Sequence, residues 1–284
     1  MTLESVDETK TPQDPDLHVL LSGQYVRIWE ARNIEEFKQT FLDCVECHYR
    51  AYATGGILHR GISEDSLMIH RSFSNLDVEG PTREDGKSTR PISGPAQEGS
   101  IIPPCIGRLN DFDMAAKVNN QGQFLVTSAS HRTGTLPFMA LDLLKPGKRV
   151  LHVYRHDLES FFYILVWAAV HYDLKHGKRK SCSPKVLQSW LNESTCFLSK
   201  HRFMSDSLAE NDSIQQHIPD DAKRQIWDEW VVPLHILFKG AFVHRSTQAD
   251  KHLPVDHETL DGLITFETFM RAVRVKPRGL DGLK

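Results

Sequence analysis

Gly56-Ile57-Leu58-His59-Arg60-Gly61-Ile62-Ser63-Glu64-Asp65-Ser66-Leu67-Met68-Ile69 is the stretch whose reading decides the fold. Two apolar runs, ILHR and SLMIHR, flank a tight polar loop, the pattern of two short strands around a turn. Upstream, Asn33 stands where a helix cap belongs, with Glu36 three positions on, a capping-box arrangement. Phe37, Phe41, Val45, His48 and Tyr52 then recur at helical spacing, and Gly55-Gly56 ends the helix. Downstream, HDLESFFYILVWAAVHYDL (residues 156–174) is apolar nearly all round in its middle, which predicts a buried central helix.

The rest of the chain fits around this frame. Residues 1–16 are polar and charged with two prolines, and read as a disordered tail. HVLL (18–21) and QYVRIW (24–29) flank Ser22-Gly23 as a pair of short strands. Residues 72–104 are dominated by Gly, Pro, Ser and charged side chains, which predicts a long surface insertion. Residues 117–135 read as loop, and PFMALDLL as a short helical turn. Helices are expected over 183–198, 222–242 and 259–273, with a basic connection over 175–185 and a tail over 276–284. The pattern predicts one mainly helical α+β domain over residues 17–275.

Composition narrows the classes. A net charge of −3 argues against a nucleic-acid-binding face spread over the whole protein. No apolar run reaches the length of a membrane span, and the start MTLESVDETKTPQDPD is not a secretory signal. Cys44, Cys47, Cys105, Cys182 and Cys196 are odd in number and scattered, which fits a reducing compartment; the expectation is an intracellular protein, cytoplasmic or nuclear. Cys44 and Cys47 form a CxxC, but no second ligand pair follows, so they read as small residues on a packed helix face. His152 and His156, four apart, are weighed the same way. Lys175, His176, Lys178, Arg179 and Lys180 read either as a nuclear-import or nucleic-acid patch or as a solvated loop, and the loop is the expectation.

Three segments stand in order: residues 56–69, Leu109-Asn110-Asp111-Phe112-Asp113, and Thr133-Gly134-Thr135-Leu136-Pro137-Phe138-Met139-Ala140-Leu141-Asp142. They resemble the catalytic loop, the DFG segment and the APE segment of a protein kinase. GTLPFMALDLL followed by HDLESFFYILVWAA resembles the fungal-type protein kinase family in particular, over roughly Asn33 to Val273. The resemblance implies a mainly α large lobe and magnesium-ATP as the family's cofactor.

Phosphoryl transfer needs a group that orients the substrate hydroxyl, ligands for the metal, and a clamp on the phosphates. In the pattern HRDxxxxN the Asp is the base and the Asn a metal ligand. Here His59 and Arg60 match, but the Asp position is Gly61 and the Asn position Ser66. Loss of a general base alone costs about 10²–10⁴-fold in rate. Asp65, beside Ser66, is an alternative metal ligand. Asp111 matches the metal-binding Asp of DFG, with Asp113 in place of the Gly. Asp157 matches a buried aspartate that accepts hydrogen bonds from the catalytic-loop backbone, and Thr135 a threonine that bonds the base, a bond Gly61 cannot make. Arg60 could meet a phosphate on Thr127, Ser128, Ser130 or Thr133, or simply a carboxylate or solvent.

The residues before Ile34 contain neither GxGxxG nor a VAIK-like lysine, so most of the small lobe is expected to be missing. The resulting expectation is a pseudokinase acting as a scaffold or as a regulator of a complete kinase, with other proteins as partners and no membrane. The alternative is an active or partner-complemented ATP-dependent serine/threonine protein kinase.

Overall fold

A computed structural model describes residues 24–71, 106–119, 134–147, 150–180, 184–208 and 212–278. The expected tail over 1–16, the HVLL strand and the insertion over 72–104 lie outside these residues. Strand β1 (Gln24–Arg27) leads through a 3-10 turn into helix α1 (Ile34–Gly55). Asn33 caps α1 by accepting the Glu36 N–H at 2.8 Å. The Glu36 carboxylate accepts the N–H of Arg32, not of Asn33, so the expected box closes one residue early. Gly56 ends the helix at φ 61. A Cβ there would lie 2.5 Å from the Val118 carbonyl oxygen, so only glycine fits.

Strand β2 (Ile57–Leu58) follows, and β3 (Leu67–Arg71) runs through the middle of a three-stranded antiparallel sheet, β1-β3-β4, with β4 at Gly107–Leu109. Gly107 lets β4 press against α1: an added Cβ would meet the Thr40 carbonyl oxygen at 2.4 Å. Strand β5 (Ala116–Lys117) pairs with β2, which holds the two ends of the loop region together.

A 3-10 turn over Leu136–Phe138 and the short α2 (Leu141–Leu144) precede α3 (Tyr154–His171), every residue of which is buried. The apolar run around its middle has no polar face to offer water, so the other elements must surround it. Phe161 meets Phe41 of α1 edge-on at 5.7 Å, and Phe162 stacks on Phe238 at 5.3 Å. Each such ring, fully buried, stabilises by roughly 1.5–3 kcal/mol. A two-stranded hairpin, β6 (Tyr172–Asp173) and β7 (Lys178–Arg179), stands where the sequence predicts a basic solvated loop.

The last third is helical, with corrected boundaries. Residues 183–198 do not form one helix: α4 (Lys185–Gln188) and a 3-10 turn stop at Asn192. Asn192 then caps α5 (Glu193–Ser205), its side chain accepting from Ser194. After α6 (Asp212–Gln215) and α7 (Asp220–Ala222), residues Lys223–Val231 wind as a π-helix before α8 (Val232–Asp250). The expected helix from 259 starts later, as α9 (Phe266–Ala272), because Leu260, Asp261 and Gly262 are all left-handed. Among the described residues, no helix is long and apolar enough to cross a membrane.

Candidate functional site

The loop between β2 and β3 is built around one buried carboxylate. Asp157, at the start of α3, is reached by four donors. His48 Nε2 of α1 lies 2.9 Å from Oδ2 and His152 Nε2 2.8 Å from Oδ1. The backbone N–H groups of His59 and Arg60 donate to Oδ2 at 3.2 and 3.1 Å. Burial alone would raise this carboxyl, but the charges and hydrogen bonds of His152 and His48 outweigh it and hold it well below the usual range. Arg60 takes a positive φ, 65°, and its N–H donates to the same oxygen as its neighbour's. His152 is thus engaged by Asp157, while His156 accepts the Val153 N–H.

His59 is fully buried and bonded at both ring nitrogens. Its Nε2 lies 2.9 Å from the Asn110 carbonyl oxygen and its Nδ1 accepts the Gly61 N–H at 3.3 Å. That assignment needs the neutral ring with its proton on Nε2. Burial lowers its pKa, against the pull of Asp157 and the Asn110 carbonyl. The ring packs on Phe112 at 4.5 Å, joining the loop to the Asp111 segment.

The remaining loop side chains are engaged inward or sideways. Ser66 is fully buried; its hydroxyl donates to the Ser63 carbonyl at 2.8 Å and accepts the Ser63 N–H at 3.0 Å. The Asp65 carboxylate meets Arg27 at 2.8 Å in an exposed pair, and Arg27 also bonds its carbonyl oxygen. Glu64, buried, accepts from Tyr172 at 2.8 Å and from Arg179 at 2.8 Å. Arg27 and Arg179 both stand over the Trp29 ring, at 5.7 and 5.5 Å. Gly61 offers no side chain between His59 and Met114.

Asp111 is exposed at φ 64 and ψ 58, followed by the exposed Phe112 and Asp113. Aspartate tolerates this left-handed region better than most residues. Thr135 is exposed and opens the 3-10 turn without a side-chain bond to it. Asp142 is bound by Arg155 at 2.7 Å and by Arg245. Burial would raise Asp142, but the His156 ring, its Nε2 3.8 Å away, and the two guanidinium charges hold it far below the usual range. Thr127, Ser128, Ser130 and Thr133 lie outside the described residues. Cys44 and Cys47 are not joined in a disulfide, and burial raises the thiol pKa of Cys47. Among the described residues, no group of three His, Cys, Asp or Glu side chains is placed to hold a metal ion.

The sequence reading does not find Arg27, Trp29, His48 or Arg179 as loop partners. The one available signal is Glu64-Asp65, two adjacent acids inside a loop that folds back on itself, which demand cations from somewhere. The family model described as a fungal protein kinase matches residues 16–169, more than half of the chain. No curated protein matches it.

Proposed function

The chain belongs to the fungal protein kinase family, and from that premise we propose that it is a pseudokinase built on the family's large lobe. It acts by binding other proteins, as a scaffold or regulator, and does not transfer phosphate. The observation that carries this reading is the state of the loop over residues 59–66. The base position is Gly61, without a side chain, and the hydroxyl of Ser66 is committed twice to Ser63. The fall-back ligand, Asp65, is held by Arg27.

The magnesium-nucleotide that the family implies would be left to Asp111 and Asp113, because on the loop side Ser66 is turned onto Ser63 and Asp65 is paired with Arg27. A magnesium ion prefers several hard oxygen ligands at short, near-octahedral distances. On this loop and the segment after β4, Asp111 and Asp113 are the exposed carboxylates without a described ion pair, and among the described residues no group of three His, Cys, Asp or Glu side chains is placed to hold the ion. His59, Arg60 and Asp157 remain as the architecture that shapes the loop, with Thr135 at the edge of the next segment. A thermal melt of the full-length protein with magnesium-ATP tests the reading. No change in melting temperature is expected; a rise that Asp111→Ala abolishes would overturn it.

A further inference from the structure

Lys200 is a fully buried lysine on α5, outside the loop described above. Its Nζ donates to the Met139 carbonyl oxygen at 2.7 Å and stands 3.5 Å over the centre of the Tyr163 ring, with Trp190 at 5.2 Å. Among the described residues no carboxylate lies within ion-pairing distance of it. Burial pulls its pKa down to about 7. A lysine amine is costly to bury unless it is bonded, and here its hydrogen bond goes to the Met139 carbonyl, with the Glu159 charge acting on it from α3.

Two further buried side chains act on the same segment. One turn earlier on α5, Cys196 Sγ donates to the Leu136 carbonyl oxygen at 3.5 Å. From α3, Glu159 accepts the Leu141 N–H at 2.8 Å and is itself bonded by the Tyr163 hydroxyl at 2.8 Å. Backbone groups of Leu136, Met139 and Leu141 are thus fixed from outside the segment by three buried side chains. The segment in turn abuts the loop: a Cβ at Gly134 would lie 3.6 Å from the Arg60 carbonyl oxygen.

We infer that α5 holds Leu136–Leu144 in its finished geometry through Lys200, a positioning residue acting on the Met139 carbonyl, without a phosphate on the residues before it. This deepens the binding-only reading: the surface beside the loop is preset, not switched. Its test does not depend on nucleotide, so the two readings fail separately.

Amide hydrogen exchange on the full-length, phosphatase-treated protein decides it. Residues 136–144 are expected to exchange at least about 100-fold more slowly than an open chain, as a packed segment does. Alanine at Thr127, Ser128, Ser130 and Thr133 together leaves that protection unchanged. Lys200→Met speeds exchange in 139–144 about 10-fold or more while amides of α3 keep their protection. Lys200→Arg, which keeps a charged donor, restores most of the protection. Rapid exchange of 136–144 that slows on phosphorylation would overturn the inference, and so would a Lys200→Met protein with unchanged exchange there. If Lys200→Met does not fold, the phosphatase comparison on the wild-type protein and the Lys200→Arg variant decide in its place.

Discussion

His48 and Asp157, 109 positions apart, meet at 2.9 Å in a site from which both are wholly removed from water. The contact ties α1 to the start of α3, and the loop backbone at His59 and Arg60 closes on the same carboxylate. Asp157→Asn places an amide N–H against donors and removes the charge they converge on. The expected loss is about 3 kcal/mol of unfolding free energy, read from urea denaturation at constant m-value. A loss within error of zero would mean the four bonds do not organise the loop.

Acid should loosen this region in a definite window. His156 is held to about 3 and His59 is lowered, in both cases first by burial, so both are neutral in the fold. The unfolded chain takes up those protons from about pH 6.5 downward. Their contribution is therefore complete above pH 6.5 and is lost as pH falls toward the His156 value of about 3. Glu159 and Glu64 are raised by burial and work in the opposite sense as pH drops toward the ordinary carboxylate range. The comparison to make is urea midpoint against pH for the wild type and for His156→Gln. The variant should show a shallower fall between pH 6.5 and 4; parallel curves would remove His156 from the account.

Substituting the two loop positions Gly61 and Ser66 should have unequal costs. At Gly61 the nearest atoms to an added Cβ are His59 Nδ1 and Met114 Cβ, each at 3.7 Å, and His59 Cε1 at 3.8 Å, all ordinary contact distances. Gly61→Asp should melt within about 4 °C of the wild type. Ser66→Asn breaks both bonds to Ser63 and enlarges a side chain with no exposed surface. It should cost about 2–4 kcal/mol. Equal melting temperatures for the two variants would contradict the inward locking of Ser66.

Arg278 holds a pair of buried acids. It bridges Asp43 and Glu46 on α1, and Asp43 also accepts the N–H groups of Ile106 and Gly107 at 2.7 Å each. Arg278→Ala leaves two buried carboxylates side by side and should lower stability by about 2–3 kcal/mol. A double-mutant cycle with Asp43→Asn should show strong coupling. Additive effects would mean the bridge is a surface contact only.

The parts of the fold that the sequence discloses are those with local causes. Asn33 and the spacing of Phe37, Phe41 and Val45 announce α1, and the apolar run from Phe161 to Val170 announces α3. What it hides depends on the surroundings. Asn192, inside an apparently continuous helical run, turns its side chain back on Ser194 and starts a new helix. Widening to a π-helix over Lys223–Val231 leaves no mark in a 3.6-residue pattern. Leu260 takes a left-handed conformation that its side chain gives no reason to expect. At the site, the sequence sets Gly61 and Ser66 at two positions of the loop pattern only through the order of the surrounding segments. The pairs Arg27–Asp65 and Arg179–Glu64 are not legible in it, since each joins residues far apart in sequence, and Arg179 lies in a basic run that reads as solvated.

Phosphate transfer itself bears most directly on the central claim. Full-length protein, with radiolabelled magnesium-ATP and a general protein substrate, would be assayed for label in the substrate and in the chain. The account predicts incorporation no higher than in a no-enzyme control, for the wild type and for Asp111→Ala alike. Incorporation above that control which disappears in Asp111→Ala would show a working kinase and contradict the account.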